Sequence, residues 1–393
     1  MYGFLFYVLK HTYGRVLRWR FAVRATGRRM LASLEPPYLL LSNHVNMWDP
    51  PLVGIFLKHP PRFMATDNMF RTTLSRLLYR LVGAIPKSKD QPDLAAVIAA
   101  RRAAEQGAVI AVFPEGRRTW DGRTLPLHPA TARLPRLLKT PVVVADIDGG
   151  YLSRPRWART SRRGRIVVRY RRILTARESR ELPEQEIDRR VSASLERDAD
   201  ATQRRARVRY RGHRLAEHIE LFLVRCPCGA HGSYRSRGNR FWCAQCGRTG
   251  TFGELGTIEG YDFRTVSELS DWQHRTLDPE LVSWPASGRV LRQTGVRLLR
   301  AIGRHSHRPV ARGEAVLTTR SIRVDEHSVP LELVHACNMQ NDNSIEFTSG
   351  RYRYRLEQPP RRVQYHRAPY YLWMRVMQEC SRALREPPED LAR

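Results

Sequence analysis

The segment Ser42-Asn43-His44-Val45-Asn46-Met47-Trp48-Asp49-Pro50 places an imidazole and a carboxylate close together, directly after an apolar run. A carboxylate bonded to one ring nitrogen sets the tautomer and raises the basicity of the other, which makes His44 a usable general base near neutral pH. On a regular helix the two side chains would point about 140° apart, so they can meet only in a loop or irregular turn. Asp49 followed by Pro50 also suits a helix N-cap with proline at the first helical position.

A second run, Ala111-Val112-Phe113-Pro114-Glu115-Gly116-Arg117-Arg118-Thr119, again ends an apolar stretch with chemistry. It offers a carboxylate, a glycine that lets backbone approach a ligand, and two guanidinium groups suited to bidentate grip of a phosphate. Between the two lies Gly83-Ala84-Ile85-Pro86-Lys87-Ser88-Lys89, a third short apolar segment ending in cations. One base and several cations at three such turns point to a single site.

The elements that must position these residues are legible as a rhythm. Residues 38–42, 108–113 and 142–147 read as buried strands, 50–57 as the opening of a helix, and 94–106 as an alanine-rich helix ended by Gly107. Strand and helix in alternation mean an α/β sheet covered by helices, with ligand sites at strand C-termini. The arginine-crowded residues 150–214, with a helical stretch at 184–197, close the domain. Residues 1–30 read as one basic amphipathic helix. It sets Phe4, Leu5, Val8, Leu9, Val16, Leu17 and Trp19 among Lys10, Arg15, Arg18, Arg20 and Arg24, a pattern suited to lying in lipid headgroups.

These blocks resemble the glycerolipid, lysophosphatidic acid-type acyltransferase family, whose signature is Asn-His-x4-Asp followed by Phe-Pro-Glu-Gly-x-Arg-Ser. The resemblance covers about residues 1–210. It implies that His44 and Asp49 are the catalytic dyad and that Glu115, Gly116 and Arg118 bind the acceptor. Thr119 stands where serine is usual, and Lys89 or Lys87 stands where the family has an arginine. Thr140-Pro141-Val142-Val143-Val144 is similar to the family's fourth block but lacks its second proline. The implied reaction is direct transfer of a fatty acyl group from acyl-CoA or acyl-carrier protein to a lysophospholipid hydroxyl. The default acceptor is 1-acyl-sn-glycerol 3-phosphate, giving phosphatidic acid, and another lyso-lipid is the alternative. No cysteine lies near the motif to form an acyl-enzyme.

Cys226-Pro227-Cys228-Gly229 and Cys243-Ala244-Gln245-Cys246-Gly247 form two knuckles with fourteen residues between Cys228 and Cys243. Four thiolates in paired turns suit a closed, structural zinc ribbon that folds on metal. His231 is a possible substitute ligand, and Cys337 and Cys380 read as ordinary buried residues. Tyr234, Arg235, Arg237, Arg240, Phe241 and Trp242 interleave rings and cations between the knuckles. The rival reading is therefore a nucleic-acid-binding module that stacks bases, although nucleic acid is not the expected partner. Beyond the knuckles, short alternating runs at 315–317, 322–324, 345–348 and 352–356 precede an amphipathic helix at 370–384. They suggest a small β-barrel or pleckstrin-homology-like module.

The chain has 393 residues, which fits two or three domains. The expected segments are an interfacial helix over 1–30, an acyltransferase domain over 31–214, a zinc ribbon over 222–256 and a β-rich domain over 257–393. The net charge of +30 favours anionic partners, a membrane surface first, although only five of the 68 cations are lysine, an arginine bias that codon usage also produces. Six cysteines are not a secreted disulfide framework. No secretory signal is visible, and the apolar run 2–9 is far shorter than the roughly 18–20 residues that span a bilayer. The expected location is peripheral, on the cytoplasmic face of a membrane.

Overall fold

The computed structural model describes residues 2–66, 73–87, 93–303, 306–340, 344–358 and 370–385. Packing divides the chain into two units. The first comprises Met1–Arg156, Thr160–His213 and Glu254–Gly256, and the second Trp157–Arg159, Arg214–Gly253 and Thr257–Arg393. The cysteine-bearing segment, expected as a domain of its own, thus shares a unit with the β-rich region.

The first unit is built on seven strands: β1 (Arg24–Thr26), β2 (Leu39–Ser42), β3 (Pro61–Thr66), β4 (Ile85–Lys87), β5 (Val109–Val112), β6 (Val142–Asp148) and β7 (Val167–Leu174). They lie in the order β1-β7-β6-β2-β5-β3-β4. All neighbours are parallel except β6 and β7. β2 and β5 are buried along their whole length, as expected for central strands covered on both faces. One core joins Leu39, Leu41, Ile110, Val112, Val142 and Val144 of the sheet to Ala100, Ala103 and Ala104 of the helix Leu94–Glu105. That helix starts where Asp93 accepts the Ala96 N–H at 3.0 Å, and Gly107 follows it with a φ of 77°.

The single helix expected over residues 1–30 is instead two, Tyr2–His11 and Tyr13–Arg20, followed by β1 and a helix Arg28–Ser33. The break falls at Thr12, whose hydroxyl donates to the Val8 carbonyl at 2.7 Å. A three-residue strand is too short to impose a period on the sequence, so β1 was hidden inside the amphipathic pattern.

In the second unit, β8 (Tyr234–Arg237), β9 (Arg240–Cys243), β10 (Thr249–Phe252) and β11 (Ile258–Glu259) form an antiparallel sheet in the order β11-β10-β9-β8. An eighteen-residue helix, Val266–Ser283, follows. It was not anticipated, because Pro279 lies inside it and its apolar stripe is weak. Then come β12 (Leu291–Ala301), β13 (His307–Leu317), β14 (Ser321–Val324), β15 (His327–Pro330), β16 (Val334–Gln340), β17 (Ser344–Ser349) and β18 (Tyr352–Glu357). They pair antiparallel in the order β15-β14-β13-β12-β18-β17-β16. The helix Tyr370–Arg385 closes the region, with Gln378 donating to the Cys337 carbonyl at 2.8 Å. The expected run 315–317 is only the buried end of β13, whose arginine-rich first half is largely exposed and carries no alternating signal.

Gly27 shows how tightly the first unit is closed. It has a φ of 76°, and a Cβ there would stand 2.0 Å from the Tyr170 carbonyl oxygen. Gly27→Ala should therefore lower the unfolding free energy by more than the roughly 1–2 kcal/mol that a left-handed backbone costs an L-residue. Urea titration of the full chain checks this, and a loss below that range would mean the backbone relaxes freely here.

Candidate active site

β2 ends at Ser42, and residues 43–48 run in no regular helix or strand before the helix Asp49–Gly54 begins. Side-chain amides hold this passage in place. Asn43, buried, donates to the Ile147 carbonyl at 3.1 Å and accepts the Ile147 N–H at 2.8 Å, clasping the end of β6. Asn46 donates to the Gly150 carbonyl at 2.8 Å and accepts the Trp48 N–H at 2.6 Å, a local turn of the Asx kind.

Inside this turn sits Asp49, fully buried. Its Oδ2 accepts from His44 Nδ1 at 2.7 Å, from the Val45 N–H at 2.7 Å and from the Asn46 N–H at 2.9 Å. Asp49 is therefore not the cap of its own helix. Trp48 holds that position and offers no side-chain cap, while Asp49 is the first helical residue with Pro50 behind it. Its carboxylate caps the preceding turn instead, because the backbone N–H groups of residues 45 and 46 are the ones that point at it. With Nδ1 engaged, Nε2 is the His44 nitrogen left to exchange a proton, and it has no hydrogen-bond partner among the described residues. The His44 side chain keeps 21% of its surface exposed.

The loop after β5 grips the same histidine from the other side. The His44 N–H donates to Glu115 Oε1 at 2.6 Å, and the His44 carbonyl accepts the Thr119 N–H at 3.1 Å. The imidazole stacks on Phe113 with centroids 4.5 Å apart, and Phe113 stacks on Phe63 at 5.9 Å. Glu115, expected to face the acceptor, has its second oxygen occupied as well, by the Leu125 N–H at 2.8 Å. It acts as a brace between backbones. Gly116 has a φ of 66° and open space where a Cβ would be, so the turn geometry, and not crowding, calls for glycine. Arg118 is half-buried, its carbonyl accepts from Arg156 at 2.9 Å, and its guanidinium has no partner among the described residues.

Lys87 ends β4, the edge strand, opposite Thr66 of β3. With strands about 4.8 Å apart, β4 lies roughly 14 Å across the sheet from β2 and about 10 Å from β5. Arg118, on the loop of the strand next to β2, is the better-placed cation. Lys89 lies outside the described residues. Asn43, Asn46, Phe63, Phe113 and Thr119 were not singled out as site residues from the sequence. Asn43, Phe113 and Thr119 do stand at positions of the two signature blocks, and Asn46 is a polar residue beside an apolar strand end, while nothing in the sequence marked Phe63.

Residues 22–147 match the family model described as acyltransferase. This segment is an acyltransferase-family domain. The match begins just before β1 and ends at Ile147, the residue clasped by Asn43, so it takes in the His44–Asp49 turn and the whole loop that grips it. Among solved structures, the 1-acyl-sn-glycerophosphate (LPA) acyltransferase PlsC from Thermotoga maritima is 19% identical, with a TM-score of 0.41 over 48% of this chain and 76% of its own. The N-terminal PH domain of human ARAP2 is 13% identical, with a TM-score of 0.18 over 26% of this chain and 87% of its own.

Outside the acyltransferase domain, the four knuckle cysteines come together, and His231 does not join them: its Nε2 lies 3.2 Å from Glu280. Of the three rings in the nucleic-acid reading, Tyr234 and Phe241 are buried and Trp242 is half-buried.

Burial pushes the Glu115 carboxyl up to about 8 from 4.5, against the pull of its two backbone N–H donors, with the Asp49 charge adding to the rise. The folded state then holds this proton more tightly than the unfolded chain. The contribution is fully present below the unfolded value and is lost as pH rises through the folded one. The stability of the wild type relative to Glu115→Gln should thus decline from about pH 5 to about pH 8. Thermal unfolding of both proteins across that range checks it, and a constant difference would mean that Glu115 stays ionised throughout.

Proposed function

We propose that this protein transfers a fatty acyl group from acyl-CoA or acyl-carrier protein to the free hydroxyl of a lysophospholipid, with 1-acyl-sn-glycerol 3-phosphate the first acceptor to test. The observation that carries the reading is the buried Asp49 carboxylate holding His44 Nδ1, within a segment that matches the acyltransferase family. In the reaction, His44 Nε2 takes the proton of the acceptor hydroxyl as that oxygen attacks the thioester carbonyl carbon. Collapse of the tetrahedral intermediate breaks the carbon–sulfur bond, and the imidazolium returns the proton to the departing thiolate. Asp49 orients the ring and faces the charge that forms on it. Arg118 holds the acceptor phosphate so that the hydroxyl lies beside His44, with Lys87 and Lys89 as lesser candidates for the same anion.

An anionic membrane surface is the proposed source of the acceptor. Phe4, Val16 and Trp19 of the two N-terminal helices are exposed, beside exposed Arg15 and Arg18. Leu74, Leu77 and Leu78 expose a further apolar stripe on the helix Thr73–Leu81. Tyr13 packs against Trp48 of the catalytic turn with ring centroids 6.0 Å apart, which sets these helices beside the site. No helix among the described residues is long and apolar enough to cross a membrane. Aromatic and basic residues on such helices support docking in headgroups, where a lyso-lipid could enter without leaving the bilayer surface.

A labelled acyl-transfer assay over a panel of lyso-lipids tests both roles. His44→Ala should cost roughly 10²–10⁴-fold in rate with the protein still folded. Arg118→Ala should raise KM for phosphate-bearing acceptors far more than for neutral ones. Full activity in the histidine variant, or equal losses on all acceptors in the arginine variant, would overturn the respective assignment. Co-sedimentation with vesicles containing anionic lipid should fall several-fold for a Phe4→Ser, Trp19→Ser double variant, and unchanged binding would remove these helices from the docking surface.

A further inference from the structure

The second unit carries a cluster that acyl transfer does not use. The Sγ atoms of Cys226, Cys228, Cys243 and Cys246 all lie within 4.8 Å of one another. Cys226 and Cys246 are 3.8 Å apart, and so are Cys228 and Cys243. That separation is far beyond a disulfide bond of about 2.05 Å. It equals the edge of a tetrahedron whose centre-to-corner bonds are about 2.3 Å, the zinc–thiolate length, since that edge is about 3.8 Å.

The turns that carry the thiols are built alike. Gly229 and Gly247 each follow a knuckle with φ of 90° and 74°, and a Cβ at either would meet nothing, so glycine serves the turn itself. The N–H of Gly229 closes on the Cys226 carbonyl and that of Gly247 on the Cys243 carbonyl, both at 2.9 Å. The Ser233 hydroxyl lies 3.1 Å from the Cys243 sulfur and the Tyr261 hydroxyl 3.5 Å from that of Cys226. The two sulfurs that receive these groups belong to the buried cysteines, Cys226 and Cys243. Four thiolates at this spacing repel one another unless a cation sits between them.

We propose that Cys226, Cys228, Cys243 and Cys246 hold one zinc ion as a closed, structural tetrathiolate site. All four tetrahedral positions are filled by protein, which leaves none for a substrate or water. Four-sulfur tetrahedra suit zinc or iron, and zinc is the tighter binder of the two divalent ions. The ion ties the knuckles to the rest of the unit. The Val224 N–H donates to Gln273 at 2.7 Å, and Arg225 and His231 both engage Glu280, so the first knuckle is docked on the helix Val266–Ser283. The second knuckle joins β9 to β10 and reaches that helix through the metal.

Full-length protein purified without added metal should contain one zinc per chain by emission spectroscopy. Cys228→Ser and Cys246→Ser replace exposed residues, so each should lose the metal while leaving the core undisturbed. Cobalt(II) exchanged into the wild type reads the site independently of whether a variant folds. It should give thiolate-to-cobalt charge-transfer absorption and the intense visible bands of a tetrahedral four-sulfur centre. On metal removal, hydrogen exchange should accelerate in β8, β9 and β10 but not in β2, β5 and β6 of the other unit. Wild-type protein that carries iron, or no metal and four freely titrating thiols, would overturn the proposal, as would the weak bands of octahedral cobalt.

Discussion

One oxygen atom organises the turn from His44 to Asp49. Asp49 Oδ2 collects an imidazole N–H and two backbone N–H groups within 2.9 Å, in a place with no exposure to water. A carboxylate buried without such partners would be unfavourable by several kcal/mol, so the turn is stable only in the shape that delivers all three. That shape excludes a helix over residues 44–48, draws Nδ1 of His44 inward and leaves Nε2 outward. Tautomer, ring orientation and available nitrogen all follow from where this one oxygen finds its donors.

The turn does not hold itself. Its backbone is clamped between two neighbouring strands of the sheet, with Asn43 on Ile147 at the end of β6 and His44 on Glu115 and Thr119 beyond β5. Parallel pairing makes this arrangement possible, because β6, β2 and β5 are adjacent and their C-termini lie at one edge. Residues far apart in sequence thereby share one rim. The loop that carries Arg118 is the same loop that grips His44, so the positions of these two residues are linked through backbone hydrogen bonds.

The two units differ in what they bury. The first buries aliphatic strands under helices. The second contains a stretch of short strands rich in arginine and glycine around β8 to β10, with few buried aliphatic side chains. What core that stretch has is mainly aromatic, with Tyr234, Phe241 and Phe252 buried and Tyr261 in ring contact with the first two.

Much of the first unit could be read directly from residue types. Apolar runs at 38–42, 108–113 and 142–147 fall on β2, β5 and β6 because central parallel strands are buried on both faces and show no polar interruption. The expectations placed on His44, Asp49, Arg118 and the knuckle cysteines rest on side-chain type and spacing, which are local. What spacing could not show is which partner each group chooses. Glu115 looked like a ligand contact and is a backbone brace. Asp49 looked like a helix cap and caps the turn before it. The single N-terminal helix became two helices, a strand and the start of a third helix, and β13 was seen only at its buried end. In each case the deciding partner is a backbone N–H or carbonyl, or a neighbouring strand. Every residue but proline carries the same backbone groups, so nothing in the sequence marks which will be met, and only the folded chain brings them within reach.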